Sequence, residues 1–261
     1  MTTWVLLRGL MREARHWGEF PRLFKNALGA QHVVTLDLPG NGSLHAQTSA
    51  TSVTEMADYC HTQLHQQGYE PPYCLLALSL GGMIAVAWSG LYPAELERMV
   101  LINISLAPYN PFHQRLRPAT YPALIRHLLF GTADQREKLI LRLTSRLKFH
   151  SEHRQAILEQ WAAYARECPV TRANILRQLR AAAGYRVAPA TPSVPVLLLA
   201  SQQDRLVDVK SSLTLAQLWH CSIRLHPTAG HDLPLDDGDW VIRQVREWKG
   251  RWLMSELMPG V

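Results

Sequence analysis

Three residues have the types and surroundings that nucleophilic catalysis needs. Ser79 lies between two apolar runs, with the small residues Ala77 and Gly81 two positions before and after it. A serine hydroxyl attacks a carbonyl carbon when a base takes its proton and an acid orients that base. His231 and Asp204, later in the chain, could supply the base and the acid. The sequence therefore contains a candidate nucleophile and its partners, in the order Ser, Asp, His.

The surroundings of Ser79 predict a sharp turn between a strand and a helix. Residues 73–78 are an almost continuous apolar run, which is typical of a strand buried on both faces of a parallel sheet. The small neighbours match a relaxed form of the Gly-x-Ser-x-Gly turn, with Ala77 in place of the first glycine. Amides at the start of the helix would face charge that develops near the serine. Taken alone, the pattern also fits a serine that caps a helix.

Further strands are predicted at the edge of the sheet where these residues would meet. Apolar runs predict them at 4–7, 32–36, 98–104, 196–200 and 222–226. Asp204 and His231 each lie just beyond such a run, and the carboxyl ends of parallel strands gather catalytic residues. The weaker rivals are Asp208, four residues after Asp204, and His226, which lies within a predicted strand.

Helical patterns alternate with the strands and later replace them. Helices at about 14–28 and 52–67, and one after Ser79, predict a doubly wound parallel sheet. Residues 108–186 contain no convincing strand. Four helices are predicted there, near 121–130, 133–149, 151–167 and 171–184, and a last helix is predicted from about 239 to 257.

Two loop segments resemble those of the α/β-hydrolase superfamily. Residues 37–43 resemble its Asp-x-Pro-Gly-His-Gly-x-Ser turn, with Asn41 in place of histidine and Asp37 in a structural role, and residues 230–234 read Gly-His-Asp-Leu-Pro. Together with the Ser79 turn and the residue order, they make the chain similar to this superfamily over nearly its whole length. Within it, the chain resembles the small capped serine esterases, including the group that hydrolyses pimeloyl-carrier-protein methyl esters.

The resemblance implies a domain division and the members of a catalytic site. It implies an α/β-hydrolase core at 1–107 and 192–261, with a helical cap at 108–191 inserted after the sixth strand of the family pattern. The implied catalytic residues are Ser79, Asp204 and His231. The implied oxyanion-hole donors are the backbone amides of Leu80 and Leu10, and Arg8 stands where related hydrolases have histidine.

These features predict a carboxylic-ester hydrolase that passes through an acyl-enzyme on Ser79. Thioesterases, lactonases and carbon–carbon bond hydrolases of the same fold fit the same residues, and a ligand-binding member without catalysis is a further alternative. No phosphate-binding glycine loop or ligand cluster indicates a cofactor or a metal. His61 and His65 are four residues apart on a predicted helix, but without an evident third ligand they are interpreted as exposed histidines.

Composition and charge narrow the class of protein. The chain has 261 residues, of which 47% are apolar and 18% charged, so it is globular. No apolar run is long enough to span a membrane, no signal peptide is evident, and no nucleic-acid motif accompanies the net charge of +6. We expect a cytoplasmic protein whose four cysteines are reduced.

The positive charge is concentrated in one part of the chain. Residues 108–192 contain 14 Lys or Arg but only 5 Asp or Glu. Lys138, Arg142 and Arg146 follow one another at a spacing of four on a predicted helix. We interpret them as a solvated face. The alternative is a docking surface for an acidic partner, such as an acyl-carrier protein, or for an acidic substrate tail.

Overall fold

A computed structural model describes residues 2–147, 151–188 and 191–257. Its strands are β1 Thr3–Leu7, β2 His32–Thr35, β3 Tyr73–Leu78, β4 Leu96–Ile102, β5 Val196–Ser201 and β6 Ser222–His226. Its helices are α1 Phe20–Leu28, α2 Val53–Gln66, α3 Leu80–Leu91, α4 Phe112–Arg115, α5 Tyr121–Phe130, α6 Ala133–Thr144, α7 Glu152–Glu167, α8 Arg172–Gly184, α9 Lys210–Trp219 and α10 Leu233–Leu257. The strands form one sheet in the order β2-β1-β3-β4-β5-β6, and all neighbouring pairs are parallel.

Helices cover both faces of the sheet. All six residues of β3 are buried, and successive residues point to opposite faces. Leu75 packs with residues of α2, α3 and α9, whereas Leu76 packs with residues of α1 and α10. The predicted doubly wound parallel sheet is confirmed. Cys74 and Cys221 are free thiols. Cys74 lies on β3 and Cys221 directly precedes β6, and these two strands are not neighbours in the sheet.

The described chain between β4 and β5 is helical, as predicted. The side chains of Thr132, Ser151 and Thr171 each accept a hydrogen bond from the backbone amide three residues later. These bonds satisfy free amides at the starts of α6, α7 and α8. One isolated bridge pairs Ala107 with Arg186, where the helical segment leaves and rejoins the core.

The predicted helix at 14–28 is interrupted. A short 3-10 turn, Ala14–Trp17, precedes α1, because Gly18 has a φ of 53° and cannot continue the turn. Pro21 lies in the first turn of α1, where its missing amide costs nothing. The helical signal at 14–28 thus comprises two short elements.

The predicted helix at 133–149 is too long. It ends at Thr144, because Ser145 is extended with a φ of −119° and a ψ of 151°; residues 148 and 149 lie outside the described residues. Arg146 therefore does not continue the predicted row of basic residues. Its guanidinium donates to the backbone and side-chain oxygens of Gln203 at 3.1 and 2.8 Å.

Gly81 provides a test of how closely α3 packs against β1. A Cβ atom at Gly81 would lie 2.4 Å from the Leu7 carbonyl oxygen, so Gly81→Ala must displace α3 or β1. Overpacking of this kind costs about 1–3 kcal/mol. We expect the free energy of unfolding in urea to fall by that amount.

Gly90→Ala is the matched control, because Gly90 lies in the same helix and its Cβ would meet nothing within 4 Å. It should leave the free energy of unfolding unchanged or raise it by up to about 1 kcal/mol. Equal stabilities of the two variants would contradict the close packing at Gly81.

Candidate active site

Ser79 occupies a strained turn between β3 and α3. Its φ of 57° and ψ of −118° are rare for a residue with a side chain. The Ser79 amide donates to the Ile102 carbonyl at 3.0 Å, and the Gly82 amide donates to the Ser79 carbonyl at 2.9 Å. Ala77, in place of the usual glycine, is buried in β3 and pairs in register with Leu7. The predicted strand, turn and helix around Ser79 are confirmed.

The loop after β1 lies against Ser79. A Cβ atom on Gly9 would lie 3.2 Å from the Ser79 Cβ, so the backbone reaches the serine because Gly9 has no side chain. Within the described chain, the Leu10 amide that follows has no hydrogen-bond acceptor. The Leu80 amide is the first of α3, where an amide has no partner within the helix. Two backbone donors are therefore available beside the serine.

Asp204 and His231 form a buried pair beyond the ends of β5 and β6. The His231 Nδ1 atom lies 2.6 Å from Asp204 Oδ2, and each residue is only 5% exposed. Asp204 Oδ1 accepts hydrogen bonds from the Leu206 and Val207 amides at 2.7 and 3.0 Å, which fixes the carboxylate. Burial alone would lower the pKa of His231. Attraction and a hydrogen bond to Asp204 outweigh the burial, so this pKa is raised above the ordinary value of 6.5.

Ser79 and His231 line one cavity of about 340 Å³. In the described chain the two side chains are not directly hydrogen bonded, and in free enzymes this contact is commonly longer than in complexes with substrate. Most of the cavity wall is apolar. The segment between β4 and β5 contributes much of it, including Leu124, Leu128, Leu143 and Leu179.

The rival acid and base lie outside this cavity. The Asp208 carboxylate accepts from the Lys210 amide at 3.0 Å and lies 3.4 Å from the Arg117 guanidinium. His226 Nε2 contacts Asp237 Oδ2 at 3.1 Å. Neither residue lines the cavity that contains Ser79, whereas His231 does. Asp204 does not line the cavity itself but contacts His231 at 2.6 Å, and within the described chain neither rival has such a contact with a histidine or an acid of the cavity.

Asn103 holds the His231 loop and is not among the residues predicted from the sequence. Asn103 directly follows β4 and has a φ of 49°. This backbone conformation ends the strand at Ile102. The Asn103 Nδ2 atom donates to the His231 carbonyl at 2.7 Å, and its Oδ1 atom accepts from the Ser201 amide at 2.8 Å. The available signal was an asparagine at the end of an apolar run, since asparagine tolerates this conformation.

Arg8, in place of histidine, forms a buried ion pair with Asp232. Its two terminal nitrogens donate to the two carboxylate oxygens at 3.1 and 2.5 Å, and the side chains are 3% and 4% exposed. The guanidinium also lies 4.7 Å from the ring centre of Trp17. The pair joins the loop that contains Leu10 to the loop that contains His231.

A second buried ion pair joins the loop after β1 to α6. The Arg12 guanidinium donates to both carboxylate oxygens of Glu137 at 2.6 and 3.0 Å. Asn41, in place of the family's histidine, donates to the Arg12 carbonyl at 3.1 Å and accepts from Gln178 at 2.8 Å. Gln178 in turn accepts from the Met11 amide at 3.0 Å. The loop is thus fixed against both α6 and α8.

Two carboxylates near the site hold loops together. Asp37 accepts from the amides of Ala14 and Ser43 at 2.8 and 3.0 Å, which is the structural role predicted for it. Asp236 accepts from the Gly230 amide at 2.7 Å and from donors just after α6. The loop that contains His231 is therefore bonded to the end of α6.

His61 and His65 gain a third neighbour that the sequence did not reveal. Glu95 lies 2.9 Å from His61 Nδ1 and 3.2 Å from His65 Nε2, and the Trp88 ring nitrogen also donates to it at 3.2 Å. One ligand atom from each histidine and from Glu95 lie within 4.8 Å of one another. Burial alone would raise the pKa of Glu95, but these hydrogen bonds lower it. The cluster lies at the start of β4, at the edge of the sheet opposite Ser79, and only His65 is exposed.

The sequence pattern of the Alpha/beta hydrolase family matches residues 4–244. The chain is a member of this family. Human monoacylglycerol lipase ABHD6 is 22% identical over 223 residues, a match that covers 78% of this chain and 63% of the human protein. The family member described here therefore spans less than two thirds of the length of that relative.

Solved structures of other hydrolases share the fold. An esterase from Thermogutta terrifontis is 19% identical with a TM-score of 0.75, over 96% of this chain and 90% of that one. The 2-hydroxy-6-oxo-6-phenylhexa-2,4-dienoate hydrolase of Rhodococcus sp. strain RHA1 is 20% identical with a TM-score of 0.76, over 94% and 89%. The enol-lactonase of Burkholderia xenovorans LB400 is 16% identical with a TM-score of 0.76, over 95% and 91%.

These similarities confirm the expected α/β-hydrolase fold, whereas the esterase group within the family stays a prediction. The described part of this family member contains no helix with the length and apolar character needed to cross a membrane.

Asp232→Asn tests the buried pair with Arg8. The variant leaves the Arg8 guanidinium buried without a carboxylate, and removing one partner of such a pair costs about 3–5 kcal/mol. We expect the free energy of unfolding in urea to fall by that amount. Asp239→Asn removes an exposed carboxylate from α10, the helix that directly follows Asp232, and should change the free energy of unfolding by less than about 0.5 kcal/mol. Similar losses in both variants would argue against the ion pair.

Proposed function

We propose that this member of the alpha/beta hydrolase family cleaves carboxylic esters, with Ser79 as the nucleophile. The main support is the buried pair of His231 and Asp204, 2.6 Å apart, of which His231 lines the same cavity as Ser79. The strained turn at Ser79 adds to this support, since such turns project a nucleophile at the end of a strand.

In the proposed reaction, Ser79 Oγ attacks the ester carbonyl carbon while His231 Nε2 takes the hydroxyl proton. Asp204 orients the imidazole and stabilises its cation. The bond between the carbonyl carbon and the alcohol oxygen then breaks, and His231 gives its proton to the leaving alkoxide. Water, deprotonated by His231, then attacks the acyl carbon. The bond between that carbon and Ser79 Oγ breaks, His231 returns the proton to Ser79 Oγ, and the carboxylic acid leaves.

The proposed oxyanion hole consists of the backbone amides of Leu10 and Leu80. Leu10 follows Gly9 and Leu80 follows Ser79, and Gly9 and Ser79 lie in close contact. A backbone amide donates in the same way whatever its side chain is. Loss of one such donor typically costs about 2.7–4 kcal/mol of transition-state stabilisation.

The proposed substrates are esters with small to medium acyl groups, including methyl esters. Residues 108–191 would act as a cap over a core of 1–107 and 192–261, because helices of that segment line the cavity. The lipase name of the human relative supports an ester. The names of the structural neighbours mark the alternatives, which are lactone and carbon–carbon bond hydrolysis, and a thioester fits the same chemistry.

Ser79→Ala should abolish labelling by a fluorophosphonate probe and lower the rate of p-nitrophenyl acetate hydrolysis by at least about 10⁴-fold, because the nucleophile is lost. Ser43→Ala, at an exposed serine, should retain both. A folded wild-type protein that shows neither labelling nor hydrolysis would favour a ligand-binding member of the fold without catalysis.

Docking of an acyl-carrier protein is a finer proposal, in line with the pimeloyl-carrier-protein methyl ester group. A groove of about 690 Å³ lies between α5, α6 and α7. Lys138, Arg142 and Arg126 line it, and no described carboxylate does. Leu139 and His127 line both this groove and the cavity with Ser79, so an acidic carrier in the groove would lie next to the site.

Reversing the charges of Lys138 and Arg142 to glutamate should lower the ratio of activity on a carrier-linked methyl ester to activity on the free methyl ester. We expect about a tenfold drop at low ionic strength and a smaller one in about 0.5 M salt. The matched control reverses Arg243 and Arg246, which are exposed on α10. A ratio that stays the same in both variants rejects carrier docking.

A further inference from the structure

The cavity with Ser79 contains a partly buried cation whose charge no described carboxylate balances. Arg8 and Arg12 also line this cavity, but each is paired with a carboxylate. Arg115 is different. Its Nη2 atom donates to the Ala182 carbonyl at 2.5 Å, and no carboxylate of the described chain pairs with it. Its buried Nε atom has no hydrogen-bond partner, as is also true of Arg8 and Arg12.

The surroundings of Arg115 disfavour its charged form. Burial lowers the pKa of the Arg115 guanidinium, and the nearby charge of Arg186 lowers it further. Taking a cation out of water without a partner of opposite charge is unfavourable. The carbonyl of Ala182 uses only one of its donors.

Arg136 also lines the cavity, but a carboxylate lies near its guanidinium. Its Nη1 atom donates to the Gly131 carbonyl at 2.9 Å. Burial and the charge of Arg172 lower its pKa, and the neighbouring Glu137 carboxylate offsets part of this effect. Arg136 also borders a second, smaller cavity that Glu13 and Glu137 line. Arg115 is therefore the better candidate for a ligand that enters the cavity with Ser79.

We propose that Arg115 binds a carboxylate of the substrate, so that the preferred esters carry a free carboxylate at a distance from the ester group. This inference rests on the proposed ester hydrolysis. The two terminal nitrogens of the guanidinium form an edge that matches the two oxygens of a carboxylate, and only Nη2 has a hydrogen-bond acceptor in the described chain. Ser79 and Arg115 line the same cavity, and its mostly apolar wall suits a chain of methylene groups. Half-esters of straight-chain dicarboxylic acids have this combination.

The test compares monomethyl and dimethyl esters of straight-chain dicarboxylic acids, from about four to eight carbons long. The wild type should have a kcat/KM about tenfold or more higher for the monomethyl ester of at least one acid, mainly through a lower KM. Arg115→Gln, which keeps a donor but loses the charge, should reduce this preference about 10- to 100-fold. Arg115→Lys should restore part of it.

Arg117→Gln is the matched control. Arg117 lies two residues away but pairs with Asp208 at 3.4 Å, and it does not line the cavity; its variant should keep the wild-type preference. A wild type that favours dimethyl esters at every length, or an Arg115→Gln variant with unchanged preference, overturns the inference. If Arg115→Gln does not fold, the wild-type preference and Arg115→Lys decide.

Failure of the proposed function looks different. In that case the wild type shows neither fluorophosphonate labelling nor p-nitrophenyl acetate hydrolysis. If both are present and the monomethyl ester has no advantage, only the role of Arg115 is wrong.

Discussion

The close contact between the end of β1 and the start of α3 is the constraint on which the candidate site depends. Gly81 has no space for a side chain beside the Leu7 carbonyl, and Gly9 lies directly against Ser79. This contact holds the serine and the two neighbouring backbone amides in one fixed arrangement. The strain of the Ser79 turn is of order 1–3 kcal/mol. It persists because β3 before the turn and α3 after it are held by the apolar clusters that cover the faces of the sheet.

Charged residues, and not apolar ones alone, fix the loops around this contact. The pairs of Arg8 with Asp232 and of Arg12 with Glu137 are both buried. Buried ion pairs add little net stability, but each is costly to break, so they favour one arrangement of the loops. His16 lies 2.7 Å from Arg12, and burial together with the charge of Arg12 lowers its pKa well below the ordinary value. Its ring stays neutral beside the guanidinium.

Most of the sheet could be predicted because a strand buried on both faces leaves a compact apolar run. β3 and β6 have the predicted bounds. Because Asp204 and His231 each follow a predicted strand, the sequence placed them at one edge of the sheet, and in the structure they are in contact. Contacts between residues far apart in sequence could not be predicted, since no local pattern encodes them. Arg8 and Asp232 are 224 positions apart, and Glu95 meets His61 and His65 only through the packing of α2 against α3. The end of α6 was missed because its apolar spacing continues beyond the last helical residue.

The loop that contains His231 and the helical segment over the cavity are joined through the backbone. The Asp232 amide donates to the Thr144 carbonyl at 2.8 Å, and a Cβ atom on Gly230 would lie 2.6 Å from that same oxygen. The Ser145 hydroxyl donates to Asp236 at 2.7 Å. The helical segment is consequently not an exchangeable module. A chimaera that received this segment from a relative would keep these bonds only if the new backbone placed a carbonyl at the position of Thr144 and a hydroxyl at that of Ser145. New substrate ranges are therefore more accessible through side-chain changes on α5 to α8 than through replacement of the segment as a whole.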